Sequence, residues 1–248
     1  MSNLYFIALV YESVILSITF VFIVQVLKIC IKQKNRLNIL LLLLISNYFI
    51  AIFFSWLSKF QIIYSNIDYL YDESVSDPLT PLSWILLRIS DFRISFLFIT
   101  IATYTSYIFK EKIFGKEFKK SQNYIVIISG ILVGFYTLVI YQKGNLILDV
   151  LAFFLVFLLM GSVYISFMKN SIRSYKNSTI PTYRNAFLSL AIMSLSFALI
   201  LFCFLIDRIY IFLGDYGFTF FYYLGWIFAI IGVTGAYFGY LKLKEKEN

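Results

Sequence analysis

The chain has 248 residues, of which 61% are hydrophobic and 14% charged, with a mean hydropathy of +0.85 and a formal net charge of +8. Soluble domains place charges at about a quarter of their positions, so this composition excludes a soluble domain and predicts an integral membrane protein in contact with the lipid bilayer. Histidine is absent, which argues against imidazole-ligated haem, most catalytic zinc sites and Ser/His nucleophiles.

A bilayer core is crossed by roughly 20 apolar residues of helix. Seven runs reach that length, at residues 4–27, 37–57, 82–109, 121–141, 146–168, 186–206 and 219–240. They predict an all-α bundle of seven transmembrane helices forming one domain over residues 1–248. The opening "MSNLYFIALVYESV" has no basic stretch before its apolar run and no small-residue cleavage site after it, so it reads as a first spanning helix that the protein keeps. The three prolines, Pro78, Pro81 and Pro181, fall in connections or at helix starts, and this predicts unbroken spans. Cys30 and Cys203 fall at opposite ends of their spans, too far apart to be bridged.

Basic residues set the predicted orientation. Sixteen Lys and Arg lie in residues 28–36, 110–120, 169–184 and the tail, whereas the alternate connections hold Lys59, Lys143 and Arg208. The positive-inside rule then puts the amino terminus outside and the carboxyl terminus in the cytoplasm of a multi-pass cell-membrane protein. The acidic connection with Asp68, Asp72, Glu73 and Asp77 falls outside. On this reading the net positive charge reports topology, and nucleic acid is not an expected partner.

The third run contains "SWILLRISDFRISF", three charges in an apolar setting. Counted from the first basic residue at each inner end, Glu12, Arg93, Asp91, Asp149, Arg88 and Asp207 lie roughly 24 to 34 Å up, at about 1.5 Å per residue. Four helices thus contribute to one charged layer in the outer third of the membrane. Unpaired charges there are costly, so pairing or contact with water is expected. On a continuous helix Arg88 and Asp91 share a face and pair, while Arg93 points elsewhere and needs Glu12 or Asp149. Trp56, Tyr136, Tyr222 and Trp226 fall near the same level. The candidate ligand site is therefore Glu12, Arg88, Asp91, Arg93, Asp149, Tyr222 and Trp226. A structural ion-pair network and an ion path compete with a ligand site as readings of this layer, and for Asp207, Arg208 and Trp84 an interfacial role is the simpler expectation.

Gly232, Gly235 and Gly239 in the last run predict close helix packing within the bundle. Residues 36–69 and 184–216 echo one another, and "YTSYIFKEK" and "YFGYLKLKEK" end the third and seventh runs alike. The echo admits two parallel repeats, 1–110 and 146–248, in a three-plus-one-plus-three build, with chance similarity of apolar helices as the competing explanation. No catalytic set, metal site or cofactor motif is recognisable, so no enzyme is expected.

The last run has no lysine for a retinal Schiff base and no Asn-Pro-x-x-Tyr, and the third lacks Asp/Glu-Arg-Tyr at its end. Through "LGWIFAIIGVTGAYFGYLKLKEK" running into a basic tail, the chain resembles the prokaryotic seven-transmembrane sensor modules found at the amino terminus of some histidine kinases. It departs from them in lacking a kinase or cyclase domain. The resemblance implies a receptor or sensor that recognises a small ligand at an outward-facing polar cavity and meets a cytoplasmic or membrane protein partner. A small-solute transporter of three-plus-one-plus-three type and a structural subunit of a membrane complex are the alternatives.

Overall fold

The computed structural model describes residues 2–70, 72, 74–115 and 120–244, and its fold is all-α. The helices are α1 (Ser2–Lys32), α2 (Arg36–Tyr64), α3 (Pro81–Ser90), α4 (Arg93–Ile113), α5 (Lys120–Val139), α6 (Leu146–Asn177), α7 (Pro181–Phe212) and α8 (Phe220–Lys244), with a single 3₁₀ turn at Asp68–Leu70. Glu73, Lys116, Lys119 and Lys246, counted above in the acidic and basic runs, lie outside the described residues.

Local chemistry in the connections starts these helices. Asn35 accepts from the Leu37 amide at 3.1 Å and Asn145 from the Leu148 amide at 3.2 Å. Thr80 and Ser83 cap each other reciprocally ahead of Pro81, and Pro181 occupies the first turn of α7. Each device satisfies or removes an amide that a helix start leaves unpaired.

Among the described residues six helices, α1, α2, α5, α6, α7 and α8, are long and apolar enough to cross a membrane. This is the make-up of a multi-pass membrane protein. The outward apolar side chains, such as Phe6, Val14 and Phe20 of α1 and Ile125, Ile128 and Leu132 of α5, suit contact with lipid. The remaining transmembrane-like segment departs from expectation. Residues 82–109, predicted as one unbroken span, are divided into α3 and α4 by Asp91 and Phe92. Phe92 adopts the left-handed region at φ 63°, where a bulky side chain is strained, and no proline or glycine marks the break.

The helices close a ring. α1 packs against α2 and α8, α2 against α4, α4 against α6, α6 against α7, and α7 against α8, while α5 covers α4 and α6 from outside. α4 is therefore clad in protein, which explains its polarity. Buried Thr100 and Thr103 each donate to the carbonyl four residues back at 2.8 Å, so they need no water.

Two ends of the bundle follow. Tyr5 meets Phe218 of the α7–α8 connection, with ring centres 4.9 Å apart, and Lys143 of the α5–α6 connection donates to the Asp72 and Val75 carbonyls at 2.8 and 3.1 Å. We call this the N-terminal face. At the opposite C-terminal face the Tyr240 hydroxyl donates to Asn38 Oδ1. Midway, Tyr48 stacks on Phe197 at 4.3 Å, and the buried hydroxyls of Tyr48, Tyr164 and Ser106 form a chain at 2.8 and 2.6 Å.

The glycines of α8 face α7. A Cβ at Gly235 would lie 2.9 Å from the Ser189 carbonyl, and one at Gly239 would lie 2.9 Å from Leu190 Cγ. This is the intramolecular close packing that the glycine spacing predicts.

Candidate functional site

The charged layer resolves into two clusters beneath the N-terminal face. In the first, Glu12 of α1 is fully buried and Lys59 of α2 is 1% exposed. Lys59 Nζ lies 2.9 Å from Glu12 Oε1, which also accepts from Ser55 Oγ at 2.8 Å and from the Tyr222 hydroxyl. Ser55 and Lys59 are four apart, so one face of α2 delivers both donors. The sequence reading left Lys59 in a connection because it ended the second span at residue 57. In the structure α2 runs on to Tyr64.

In the second cluster, Arg93 at the start of α4 reaches Asp149 in the first turn of α6 at 2.7 Å. This is one of the two partners expected for Arg93. Arg208 of α7 reaches the other Asp149 oxygen at 3.4 Å. A carboxylate in a first turn also meets the positive end of its helix dipole. Next to Arg208, buried Asp207 accepts from the Thr219 amide at 2.8 Å and hydroxyl at 2.7 Å, which ties α7 to the start of α8. Asp207 and Arg208, expected to play an interfacial part, make these contacts near the end of α7.

Phe92 lies between the clusters. Lys59 Nζ sits 3.9 Å from the centre of its ring, and the Arg208 guanidinium 5.2 Å from it. Cation–π attraction at a desolvated site contributes about 2 kcal/mol, enough to offset much of the roughly 1 to 3 kcal/mol of backbone strain at such a residue.

The Arg88–Asp91 pair is not formed: Asp91 still closes the last turn of α3 through its amide and the Leu87 carbonyl at 3.1 Å, but each side chain takes other partners. Arg88 Nε donates to the Leu138 carbonyl at 2.6 Å, Nη1 donates to the Trp84 carbonyl at 3.1 Å, and the guanidinium stacks 3.8 Å from the Trp84 ring. It lines a shallow groove with Asp77, Trp84 and Tyr141, apart from the other candidates. Asp91 faces the Tyr141 hydroxyl instead.

A chamber of about 490 Å³ is lined by Lys59, Asp91, Phe92, Arg93, Asp149, Asp207, Arg208 and Tyr222, among others. Lys143, held to Asp77 at 3.5 Å, helps form its rim. On the same connection the Ser74 hydroxyl and amide hold the exposed Asp72 carboxyl below the ordinary carboxylate value. Below the chamber, sharing Phe92, Asp207, Arg208 and Tyr222 with it, a cavity of about 40 Å³ is lined mainly by apolar groups and by Trp226. Of the seven candidates, Asp91, Arg93, Asp149 and Tyr222 thus line the chamber and Trp226 the inner cavity. Glu12 acts from behind Lys59, and Arg88 stands aside. Among the described residues no group of His, Cys, Asp and Glu could hold a metal ion. No protein-family model matches the chain, and neither does any curated protein or solved structure.

Proposed function

We propose that this protein is a seven-span membrane receptor or sensor whose N-terminal face lies outside the cell and whose charged chamber receives a small ligand. The broken segment α3–α4 counts as the third span. The sixteen-to-three distribution of basic residues supports the orientation. The observation that carries the reading is the chamber itself. Its volume of about 490 Å³ falls within the roughly 300 to 1,000 Å³ of small-molecule sites. Charged side chains from α2, α4, α6 and α7 converge on it, and the buried layer of Tyr48, Tyr164 and Phe197 closes the bundle beneath it. A ligand held there biases the α3–α4 hinge, and the ring of helices passes the change to the C-terminal face, where a protein partner reads it.

Proteoliposomes supplied with a radiolabelled pool of small cellular solutes test this reading. Saturable retention at one equivalent per protein, lost in Arg93→Gln and without accumulation in the lumen, is the expected result. Uptake over many turnovers would overturn the reading in favour of a small-solute transporter.

A further inference from the structure

We infer that the ligand is a small aliphatic ammonium ion. The inference rests on the receptor reading above and adds the chemical class. Its first support is the sign of the charge around the chamber. Two guanidiniums, Arg93 and Arg208, face three carboxylates, Asp91, Asp149 and Asp207, and all five line the chamber. Lys59 and Lys143 line it as well, but each is matched by a carboxylate of its own, Glu12 at 2.9 Å and Asp77 at 3.5 Å. Arg88 opens onto the separate groove and donates to the Leu138 and Trp84 carbonyls. The chamber therefore carries one negative charge more than its cations neutralise, and a monocation balances it.

The excess falls on Asp91. Arg93 and Arg208 both reach Asp149, at 2.7 and 3.4 Å, and buried Asp207 accepts from the Thr219 amide and hydroxyl at 2.8 and 2.7 Å. Asp91 is half-buried and faces the neutral Tyr141 hydroxyl, and among the described residues no Lys or Arg lies within ion-pair distance of it. A carboxylate inside a membrane bundle is stabilised more by a cation than by a neutral hydroxyl, and an ammonium N–H meets it with a charge-assisted hydrogen bond. An anion would add to the charge already in excess and is rejected. Tyr5, Tyr216 and Phe218 add aromatic surface to the same wall, which suits the carbon substituents of an organic cation better than the water shell of a metal ion.

The inner cavity sets the size of the carbon part. Its wall includes Ile52, Ile99, Ile200 and Ala229, and its volume is about 40 Å³. A space of about 10 to 15 Å³ on this measure takes one water, so this one takes a few carbon atoms and not a fused ring. Phe92, the residue after Asp91, borders both spaces, as does Tyr222. One molecule can thus place its nitrogen beside Asp91 and its aliphatic end below.

The test uses the full-length protein in lipid nanodiscs at neutral pH and four probes at equal millimolar concentration, read by thermal stabilisation and calorimetry. The probes are 3-methylbutylamine, its uncharged counterpart 3-methylbutanol, the anion 4-methylpentanoate, and methylamine, which keeps the charge and loses the chain. 3-Methylbutylamine is expected to bind at least about tenfold more tightly than each of the others. Asp91→Asn erases its advantage over the alcohol and Asp91→Glu retains it, with the thermal midpoints of both variants before any probe is added reporting that they fold. Equal binding of the amine and the alcohol, or an advantage that survives in Asp91→Asn, overturns the assignment. Stabilisation by sodium chloride that matches the amine overturns it in favour of a metal ion. Methylamine binding as tightly as 3-methylbutylamine overturns the aliphatic part. If none of the four probes binds while the radiolabelled solute pool is still retained in an Arg93-dependent way, the class is wrong and the receptor reading survives. If the pool is not retained either, both fall.

Discussion

Lys59 and Glu12 form an ion pair of 2.9 Å inside the bundle, with both side chains essentially inaccessible to solvent. Removing one member of such a pair strands the other in an apolar setting and costs about 3 to 5 kcal/mol, whereas replacing both with apolar groups of similar size is often close to neutral. Lys59→Met is therefore expected to lower the thermal midpoint in detergent sharply. The double variant Glu12→Leu/Lys59→Met should recover most of the loss, and a double-mutant cycle measures it. Unchanged stability of Lys59→Met would show that the pair does not hold α1 to α2.

At the α3–α4 break, the left-handed φ of Phe92 gives a separate expectation. Glycine reaches that region without strain, while alanine and phenylalanine do not. Phe92→Gly should thus be more stable than Phe92→Ala by about 1 kcal/mol, although glycine removes no fewer ring contacts. Chemical denaturation of the two variants side by side decides it. The reverse order would contradict a left-handed backbone at Phe92.

Close approach of α7 and α8 predicts that Gly235→Ala is disruptive, since the added carbon meets the Ser189 carbonyl at 2.9 Å and the Met193 amide nitrogen at 3.1 Å, both backbone atoms. A loss of about 1 to 3 kcal/mol is expected from such overpacking. Gly161→Ala is the matched control, because its nearest contact is Ile165 Cδ1 at an ordinary 3.9 Å. Comparable stability of the two variants, followed by thermal aggregation, would contradict the packing described.

In the middle of the bundle, Tyr164→Phe deletes the hydroxyl on which Tyr48 and Ser106 both depend. Stranding those groups is expected to cost about 1 to 3 kcal/mol with no change in shape. Ser106→Ala removes an end of the chain and should cost less. Urea or detergent titration of unfolding ranks the two.

The sequence made some of this legible through periodicity and sign. Apolar runs located six of the spans, the prolines located helix starts, and opposite charges at matching depth brought Arg93 to Asp149. What escaped had no local mark. The break at Asp91–Phe92 carries neither proline nor glycine, and the cations over the Phe92 ring, Lys59 and Arg208, are distant in sequence and approach only in the folded state. Arg88 and Asp91 stay on the last turn of α3, and their predicted pairing failed because two backbone carbonyls and Trp84 take Arg88 while the Tyr141 hydroxyl faces Asp91. Lys59 was missed because a span of minimal length stops before it. The serine four residues earlier and an intramembrane Glu12 in want of a partner were the signals that pointed to it.

The hydroxyl chain through Ser106, Tyr164 and Tyr48 can be written with every proton pointing toward Tyr48 or every proton pointing toward Ser106, since either oxygen of each pair can donate. Passing from one pattern to the other rotates light atoms alone. The heavy-atom positions at the centre of the bundle thus suit two opposite polarities of the same chain equally. The two patterns differ in which hydroxyl donates at each end, and the O–H stretching region of the infrared spectrum is the place to tell them apart.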